Sequence, residues 1–258
     1  MLFNDVYKEE SQEMREKNMI PKKIHYCWFG RGEKPKLAKK CIASWKKYCP
    51  DYEIIEWNED NFDINMNGYT KMCYEQKKYA FLSDYVRLVV VYENGGLYFD
   101  TDVELVRNPD FLLEEEAFLG FETEGEKPKK EIVNTGLAFG SVASGFALKQ
   151  MLEEYNPLLD GKSGTIGCPI LNTEAMLKLG LKPGGQKQKL SCATIYPKEY
   201  FNPYESTTGK LNKTKNTVSI HWYAGSWLSP KQRMISIITK PFHRILGDNC
   251  FNFLKSSK

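Results

Sequence analysis

Short apolar runs and amphipathic stretches alternate along the first half of the chain. Ile24–Phe29 and Glu53–Trp57 are compact apolar and aromatic runs, which are typical of strands. Between them, Pro35–Tyr48 repeats its apolar residues at helical spacing and carries lysines on the other face. Lys71–Glu93 predicts one or two helices that end at Asn94-Gly95-Gly96, where glycine permits a left-handed cap. This alternation favours an α/β fold with a sheet of parallel strands.

The pattern becomes more irregular in the second half, and it contains no internal repeat or low-complexity segment. We predict further strands at Leu97–Val106, Ala117–Phe121, Ile132–Phe139, Cys192–Tyr196 and Thr217–Tyr223, and helices at Gly145–Tyr155 and Cys168–Leu179. The expected organisation is a charged arm over residues 1–20, one domain over residues 21–229 and a basic, apolar tail over residues 230–258.

Composition narrows the classes of protein. A chain of 258 residues that is 41% hydrophobic can bury a real core. The net charge of +3 is too mild to indicate nucleic acid, so no nucleic-acid partner is expected. The seven cysteines form no CxxC pair, which argues against a disulfide framework or a zinc site. Without a signal-peptide pattern or an apolar run of about 20 residues, we expect a cytoplasmic protein with reduced thiols.

Two carboxylates lie close together near the end of a predicted strand. Asp100 and Asp102 flank Thr101, and alternate residues of a strand share one face. Neighbouring carboxylates repel each other and are costly to desolvate, and a divalent cation with oxygen ligands, Mg²⁺ or Mn²⁺, resolves both problems. The alternative is a solvated turn at a strand end, because an isolated Asp-x-Asp is common.

The helix before this pair is apolar almost all round, which predicts that it is buried. It nevertheless carries Ser83, Asp84 and Arg87, and the last two lie three residues apart on one face. One interpretation is a structural ion pair, whose net contribution to stability is reduced by the cost of desolvating both charges. The other is a polar cluster directed at a ligand, because arginine suits phosphate or sugar hydroxyls and aspartate suits sugar hydroxyls.

Together these segments read A-x-x-S-D-x-x-R over Ala80–Arg87 and G-G-x-Y-x-D-x-D over Gly95–Asp102. This pattern resembles the family-32 glycosyltransferases with a DXD sugar-binding motif, which are related to yeast initiating mannosyltransferases and bacterial capsule enzymes. The clostridial glucosylating toxins are distant relatives. Ile20–Gly30 is similar to the family's opening strand, Asn134-Thr135-Gly136 to a polar turn near the donor sugar, and His221–Trp227 to its closing motif.

The resemblance implies a GT-A fold, a Rossmann-like nucleotide-sugar-binding fold with a mixed central sheet flanked by helices. It implies a metal-dependent, retaining hexosyltransferase that uses Mn²⁺ or Mg²⁺ and a nucleotide-diphosphate sugar, with a UDP-sugar preferred. The expected acceptor is a glycan or a lipid-linked saccharide in bacterial surface or capsular polysaccharide synthesis. One alternative is a metal-dependent nucleotidyltransferase, although the first strand–helix turn lacks a glycine-rich, lysine-containing loop. Another is a non-catalytic sugar-nucleotide-binding protein.

By the same resemblance, Asp102 coordinates the metal, while His221 and Ser226 are alternative third ligands. Asp100 serves the ribose, the donor sugar or a metal-bound water. Asp84 and Arg87 hold the sugar hydroxyls and the diphosphate edge. These four residues, Asp84, Arg87, Asp100 and Asp102, form the expected catalytic set. The expected donor-binding set is Tyr26, Trp28, Ser83, Asp84, Arg87, Asp100, Asn134, Ser226 and Trp227.

Trp28 would stack on the nucleotide base, whereas Tyr26 would offer its main chain to the base edge or simply pack in the core. Ser226 or Trp227 would neutralise the departing diphosphate together with the metal. No carboxylate is placed as a covalent nucleophile, so attack from the front face by the acceptor is the preferred mechanism.

The tail interleaves lysine and arginine with apolar residues, as a segment that lies on an anionic membrane surface does. This would place the protein peripherally at the inner face of the membrane. The alternative is that the tail packs back on the domain as a final helix. Pro241 is expected to interrupt any single helix in it.

Overall fold

The computed structural model describes residues 19–123, 132–225 and 230–246. Within these residues a seven-stranded sheet has the order β2-β1-β3-β6-β5-β8-β7, and a two-stranded sheet joins β4 to β9. The strands are β1 Lys23–Cys27, β2 Glu53–Trp57, β3 Gly96–Tyr98, β4 Val103–Leu105, β5 Ala117–Gly120, β6 Phe139–Ser141, β7 Gln188–Lys189, β8 Thr194–Tyr196 and β9 Ser219–His221.

The first three strands of the large sheet are parallel, as the alternating pattern predicted. β3 and β6 then pair antiparallel, so the sheet as a whole is mixed. The helices are α1 Lys36–Tyr48, α2 Gly68–Glu75, α3 Tyr79–Asn94, α4 Phe146–Glu153, α5 Cys168–Lys178, α6 Lys198–Phe201 and α7 Pro230–Leu246. The mixed central sheet flanked by helices that the sequence predicted is therefore confirmed.

Two hydrophobic clusters cover the two faces of the large sheet. One contains Cys27 of β1 with the buried faces of α2 to α5, and the other contains Tyr26 of β1 with Trp45 of α1. Adjacent residues of β1 thus enter opposite cores, as the strand period of two requires. The indole of Trp45 is fully buried and donates to the carbonyl of Val103, which fixes α1 against β4.

A glycine pair turns the chain from α3 into β3. Gly95 has φ +62° and Gly96 has φ +117°, in the left-handed region that other residues rarely adopt. A Cβ on Gly96 would lie 2.9 Å from Nε2 of His25, so β3 could not approach β1 with a larger residue there. The predicted glycine cap at the end of α3 is confirmed.

The predicted continuous strand over Leu97–Val106 is wrong. The chain leaves the large sheet after Tyr98, turns, and enters the two-stranded sheet at Val103. A hydrogen bond from the amide of Val103 to the carbonyl of Asp100 closes the turn. The two aspartates therefore converge because they flank a turn, and not because they alternate along a strand.

The predicted strand over Ile132–Phe139 is also wrong in most of its length. Only one isolated bridge, between Val133 and Phe121, joins its first part to a neighbour, and a regular strand begins at Phe139. The amide of Gly136 donates to the side-chain oxygen of Asn134 at 2.6 Å, which stabilises a turn instead.

The tail forms one helix, α7, which runs through Pro241, so the expected interruption there is wrong. Pro241 is exposed, and the helix continues past it although proline supplies no amide for the helical hydrogen bond. Four apolar side chains of α7 are about half exposed: Met234, Ile235, Ile238 and Phe242. Among the described helices, none has the length and apolar character required to cross a membrane.

Candidate active site

The turn after β3 brings two carboxylates to a histidine from the end of the chain. Pairing of β4 with β9 sets Val103 opposite His221, so the imidazole lies beside Asp102. Asp100, Asp102 and His221 each offer one ligand atom, and these atoms lie within 4.8 Å of one another. Two carboxylate oxygens and an imidazole nitrogen form a donor set that suits Mn²⁺. Of the two predicted third ligands, His221 is thus placed at the site, and Asp100 joins the set.

Asp102 is held by two further contacts. One of its carboxylate oxygens lies 3.2 Å from Nε2 of His221, and the other accepts the amide of Ala224 at 2.7 Å. Burial alone would raise the pKa of Asp102, but His221 holds it below its ordinary value. Burial alone would lower the pKa of His221, but Asp102 raises it. Each partner thus favours the charged form of the other, and a divalent cation bound between them would compete with the proton on the imidazole.

Nδ1 of His221 is buried and has no hydrogen-bond partner among the residues that the structure describes. The Tyr223 ring packs on the imidazole with centroids 4.1 Å apart. Tyr223 itself has φ +50°, a strained conformation for a residue with a side chain. This conformation turns the chain so that the amide of Ala224 reaches Asp102. This role of Tyr223 could not be predicted from the sequence, because no residue pattern marks a positive φ at a residue other than glycine.

Arg87 links the helix before the turn to the turn itself. Its Nη2 lies 2.9 Å from a carboxylate oxygen of Asp84 and 2.9 Å from one of Asp100. The side chain is only 3% exposed, and its Nε donates to the carbonyl of Ser83 at 3.1 Å. The ion pair that the sequence offered as a structural alternative therefore exists, and it lies against the Asp-x-Asp turn.

The carboxyl group of Asp100 titrates at a higher pH than an ordinary aspartate. Burial raises the pKa of Asp100 to about 6, although the Arg87 guanidinium opposes this shift. The hydroxyl of Tyr98 donates to the same carboxylate oxygen at 3.2 Å. A cation at Asp102 and His221 would oppose the shift further, because a positive charge favours the carboxylate form.

A tight turn over residues 134–136 completes this side of the site. A Cβ on Gly136 would lie 2.7 Å from Oδ2 of Asp100 and 3.1 Å from Nη1 of Arg87, so a larger residue there would displace these side chains. The Cys168 thiol lies 3.5 Å from the side-chain oxygen of Asn134 and 3.9 Å from Nη1 of Arg87. Asn134 is thus placed near the predicted donor-sugar residues. Cys168 was missed, since a buried cysteine has no distinguishing pattern in one sequence.

The predicted base-binding residues lie at the carboxyl end of β1. Trp28 is partly exposed, and its indole donates to the carbonyl of Gly32 at 2.6 Å. The Tyr26 ring is buried against Trp45, and its hydroxyl donates to Glu56. The core-packing interpretation therefore holds for the ring of Tyr26. Its main-chain role, and stacking by Trp28, stay predictions.

Ser226 and Trp227, the predicted diphosphate ligands, lie outside the described residues. Ala224, whose amide donates to Asp102, precedes Ser226 by two residues. Ser226 as a metal ligand and Trp227 as a phosphate donor therefore stay predictions.

Comparison with known proteins matches part of the chain to a family. Residues 35–119 match the glycosyltransferase sugar-binding region containing a DXD motif. This stretch includes Asp84 and Arg87 of α3 and both aspartates of the turn, Asp100 and Asp102. The resemblance that the sequence suggested is therefore confirmed over these residues.

Two curated relatives match the chain over only part of their own length. The chain is 25% identical over 126 residues to subversion of eukaryotic traffic protein A of Legionella pneumophila, covering 38% of this chain and 19% of that protein. It is 28% identical over 123 residues to inositol phosphoceramide mannosyltransferase 3 of Schizosaccharomyces pombe, covering 45% of this chain and 33% of that protein. The match therefore spans a third or less of each of these relatives.

Among solved structures, the chain is similar to the PaToxG glycosyltransferase, with 17% identity and a TM-score of 0.48. The similarity covers 68% of this chain and 77% of that one.

Proposed function

We propose that this chain is a metal-dependent glycosyltransferase of the GT-A type, which transfers a hexosyl group from a nucleotide-diphosphate sugar, preferably a UDP-sugar. One observation carries the proposal: Asp100, Asp102 and His221 converge to within 4.8 Å inside a chain whose Asp-x-Asp segment matches a sugar-binding DXD region. The buried Arg87 pair beside them supplies the charges that a sugar and a diphosphate need.

Different residues are proposed to bind different parts of the donor. Asp102 and His221 would hold Mn²⁺ or Mg²⁺, with Asp100 as a further oxygen donor. When bound, the cation supplies Lewis-acid stabilisation of the leaving diphosphate. Arg87 orients Asp84 and Asp100 and adds positive charge at the sugar end. Trp28 would stack on the nucleotide base, and Ser226 and Trp227 would bind the diphosphate.

Retention at the anomeric carbon fits the way the acidic residues are engaged. Asp84 and Asp100 are both paired with the Arg87 guanidinium, which reduces their strength as nucleophiles. We therefore favour attack by the acceptor from the side on which the diphosphate leaves, through an oxocarbenium-like centre. A glycosylated aspartate or glutamate detected by mass spectrometry would overturn this mechanism.

Product analysis tests the proposed function. A panel of UDP-sugars and GDP-sugars is incubated with the protein and Mn²⁺, and donor hydrolysis is followed without an acceptor. The expected product is the nucleoside diphosphate, and chelation of the metal should abolish its release. Pyrophosphate as the product from a sugar phosphate and a nucleotide would indicate a nucleotidyltransferase. Binding of a donor without turnover, even with acceptors added, would indicate a binding protein.

The acceptor is proposed to be a glycan or lipid-linked saccharide of bacterial surface polysaccharide, reached at the inner face of the membrane. The support is α7, whose apolar side chains at Met234, Ile235, Ile238 and Phe242 follow a helical spacing. Lys231 and Arg244 on the same helix are exposed. An exposed apolar stripe with flanking cations is the pattern of a helix that lies on anionic lipid.

Replacing two residues of this stripe should release the protein from vesicles. We expect Met234→Glu with Ile238→Glu to lower the fraction that sediments with phosphatidylglycerol-containing vesicles at least about tenfold, because apolar burial is lost and like charges repel. Met66→Glu with Leu211→Glu is the matched control, since these exposed apolar residues lie outside α7. Equal sedimentation of wild type and the α7 variant would refute this role.

A further inference from the structure

Helix α5 holds the segment that precedes the turn over residues 134–136, and it does so through a buried threonine. Oγ1 of Thr173 accepts the amides of Ile132 at 2.8 Å and Val133 at 3.2 Å. Thr173 is fully buried, and Ile132 and Val133 are nearly so. Buried amides need partners, and a single isolated bridge, between Val133 and Phe121, joins this segment to a neighbouring strand. On one side the segment bonds to the end of β5, through the amide of Glu122 to the carbonyl of Ile132 at 2.8 Å and the amide of Asn134 to the carbonyl of Gly120 at 3.4 Å. The side chain of Thr173 satisfies the two amides that these bonds leave.

Two more residues of α5 reach the turn itself. Nδ2 of Asn172 donates to the hydroxyl of Thr135 at 2.9 Å, and both residues are fully buried. One turn earlier on the helix, the Cys168 thiol donates to the side-chain oxygen of Asn134. The same sulfur lies 3.9 Å from Nη1 of Arg87. Helix α5 thus contacts both the turn and Arg87, which pairs with Asp84 and Asp100.

The turn has little freedom on its other side. Space for a Cβ on Gly136 is closed by Asp100, Arg87 and Asn134, at 2.7 to 3.1 Å. A small shift of residues 134–136 would therefore move Asn134 relative to Arg87 or press the backbone against Asp100. Regular strand pairing is lacking over residues 134–138, so the position of the turn depends on side chains of α5 as well as on the bond from the amide of Asn134 to the carbonyl of Gly120.

We propose that α5 is the positioning element of the donor-sugar subsite, in which Thr173, Asn172 and Cys168 hold residues 132–136 against Asp100 and Arg87. This inference rests on the proposed transferase function. The three side chains do not contact substrate themselves. They act through Asn134 and Gly136, so they should determine how the sugar is bound, while the metal, the base and the diphosphate are held by residues elsewhere.

Thr173→Val tests this inference, because valine has nearly the same shape and removes the acceptor for both amides. We expect the KM for the hydrolysed donor to rise roughly ten- to a hundredfold, as misplacement by about an ångström does. The inhibition constant of the free nucleoside diphosphate should stay within about twofold of wild type, since that ligand lacks the sugar. Thr173→Ser keeps the acceptor and should restore the wild-type KM.

Two further variants separate positioning from general loss of stability. Thr194→Val removes an equally buried hydroxyl, which donates to Glu115, from strand β8 away from the site, and it should leave the donor KM unchanged. Asn172→Leu removes the bond to Thr135 together with a buried oxygen that lacks a partner among the described residues, so this variant should fold. It should raise the donor KM, and it provides the test if Thr173→Val does not fold.

The outcomes are distinct. An unchanged donor KM in Thr173→Val and Asn172→Leu overturns the positioning role, and so does an equal rise in donor KM and in the inhibition constant of the nucleoside diphosphate. A wild-type protein that releases no nucleoside diphosphate from any donor removes the proposed function, and with it this inference. An active wild type with unaffected variants removes the inference alone.

Discussion

Asp102→Asn is expected to reduce metal-dependent donor hydrolysis by about 10²- to 10³-fold, the loss found when one group that stabilises developing charge is removed. The amide carries no charge, so it binds a divalent cation more weakly than the carboxylate does. It also removes the partner that raises the pKa of His221. Initial rates of nucleoside diphosphate release at saturating Mn²⁺ measure this effect.

Asp51→Asn provides the matched control for the loss of one carboxylate charge. Asp51 is exposed and pairs with Lys22 on the surface, outside the site. Surface pairs of this kind contribute little, so its turnover should equal that of wild type. Full activity in Asp102→Asn would remove the metal-site interpretation.

Arg87→Leu is expected to lower the free energy of unfolding by roughly 3–5 kcal/mol, as breaking a buried ion pair on one side does. The substitution leaves the carboxylates of Asp84 and Asp100 without the guanidinium that lies 2.9 Å from each. Urea unfolding of wild type and variant at neutral pH measures the difference.

The pH dependence of this loss provides an internal check. Asp100 has a pKa of about 6 in the native protein, and it rises further without Arg87. As pH falls through this value the carboxyl becomes neutral, so the cost of losing Arg87 should decrease. Arg31→Leu, which removes an exposed pair with Asp60, should unfold at the same urea concentration as wild type. An Arg87→Leu protein as stable as wild type at neutral pH would contradict the assigned electrostatics.

The elements up to residue 94 could be predicted from sequence because their patterns are local. Glu53–Trp57 was predicted with the observed bounds, and α1 differs by one residue at its start. The break between β3 and β4 could not be predicted, because it depends on β9, a partner more than a hundred residues later in the chain. The same holds for Ile132–Phe139, where a side chain of α5, Thr173, accepts the first two amides and a regular strand begins only at Phe139.

The candidate site shows the same division. Asp84, Arg87, Asp100 and Asp102 lie within 19 residues, so a local motif identified them. His221 entered only through the resemblance, and its place beside Asp102 follows from strand pairing. Gly136 and Cys168 contribute through shape and close approach, which polarity and spacing do not report.

The proposed function requires that Asp100, Asp102 and His221 bind the divalent cation that holds the donor diphosphate. Crystals grown with Mn²⁺ and UDP should be measured at the manganese absorption edge. We expect one anomalous peak in direct contact with Asp102 and His221, with the diphosphate on its open side. An anomalous peak found only elsewhere on the protein would show that these three residues do not bind the cation. UDP bound at the site with full occupancy and no manganese beside it would show the same.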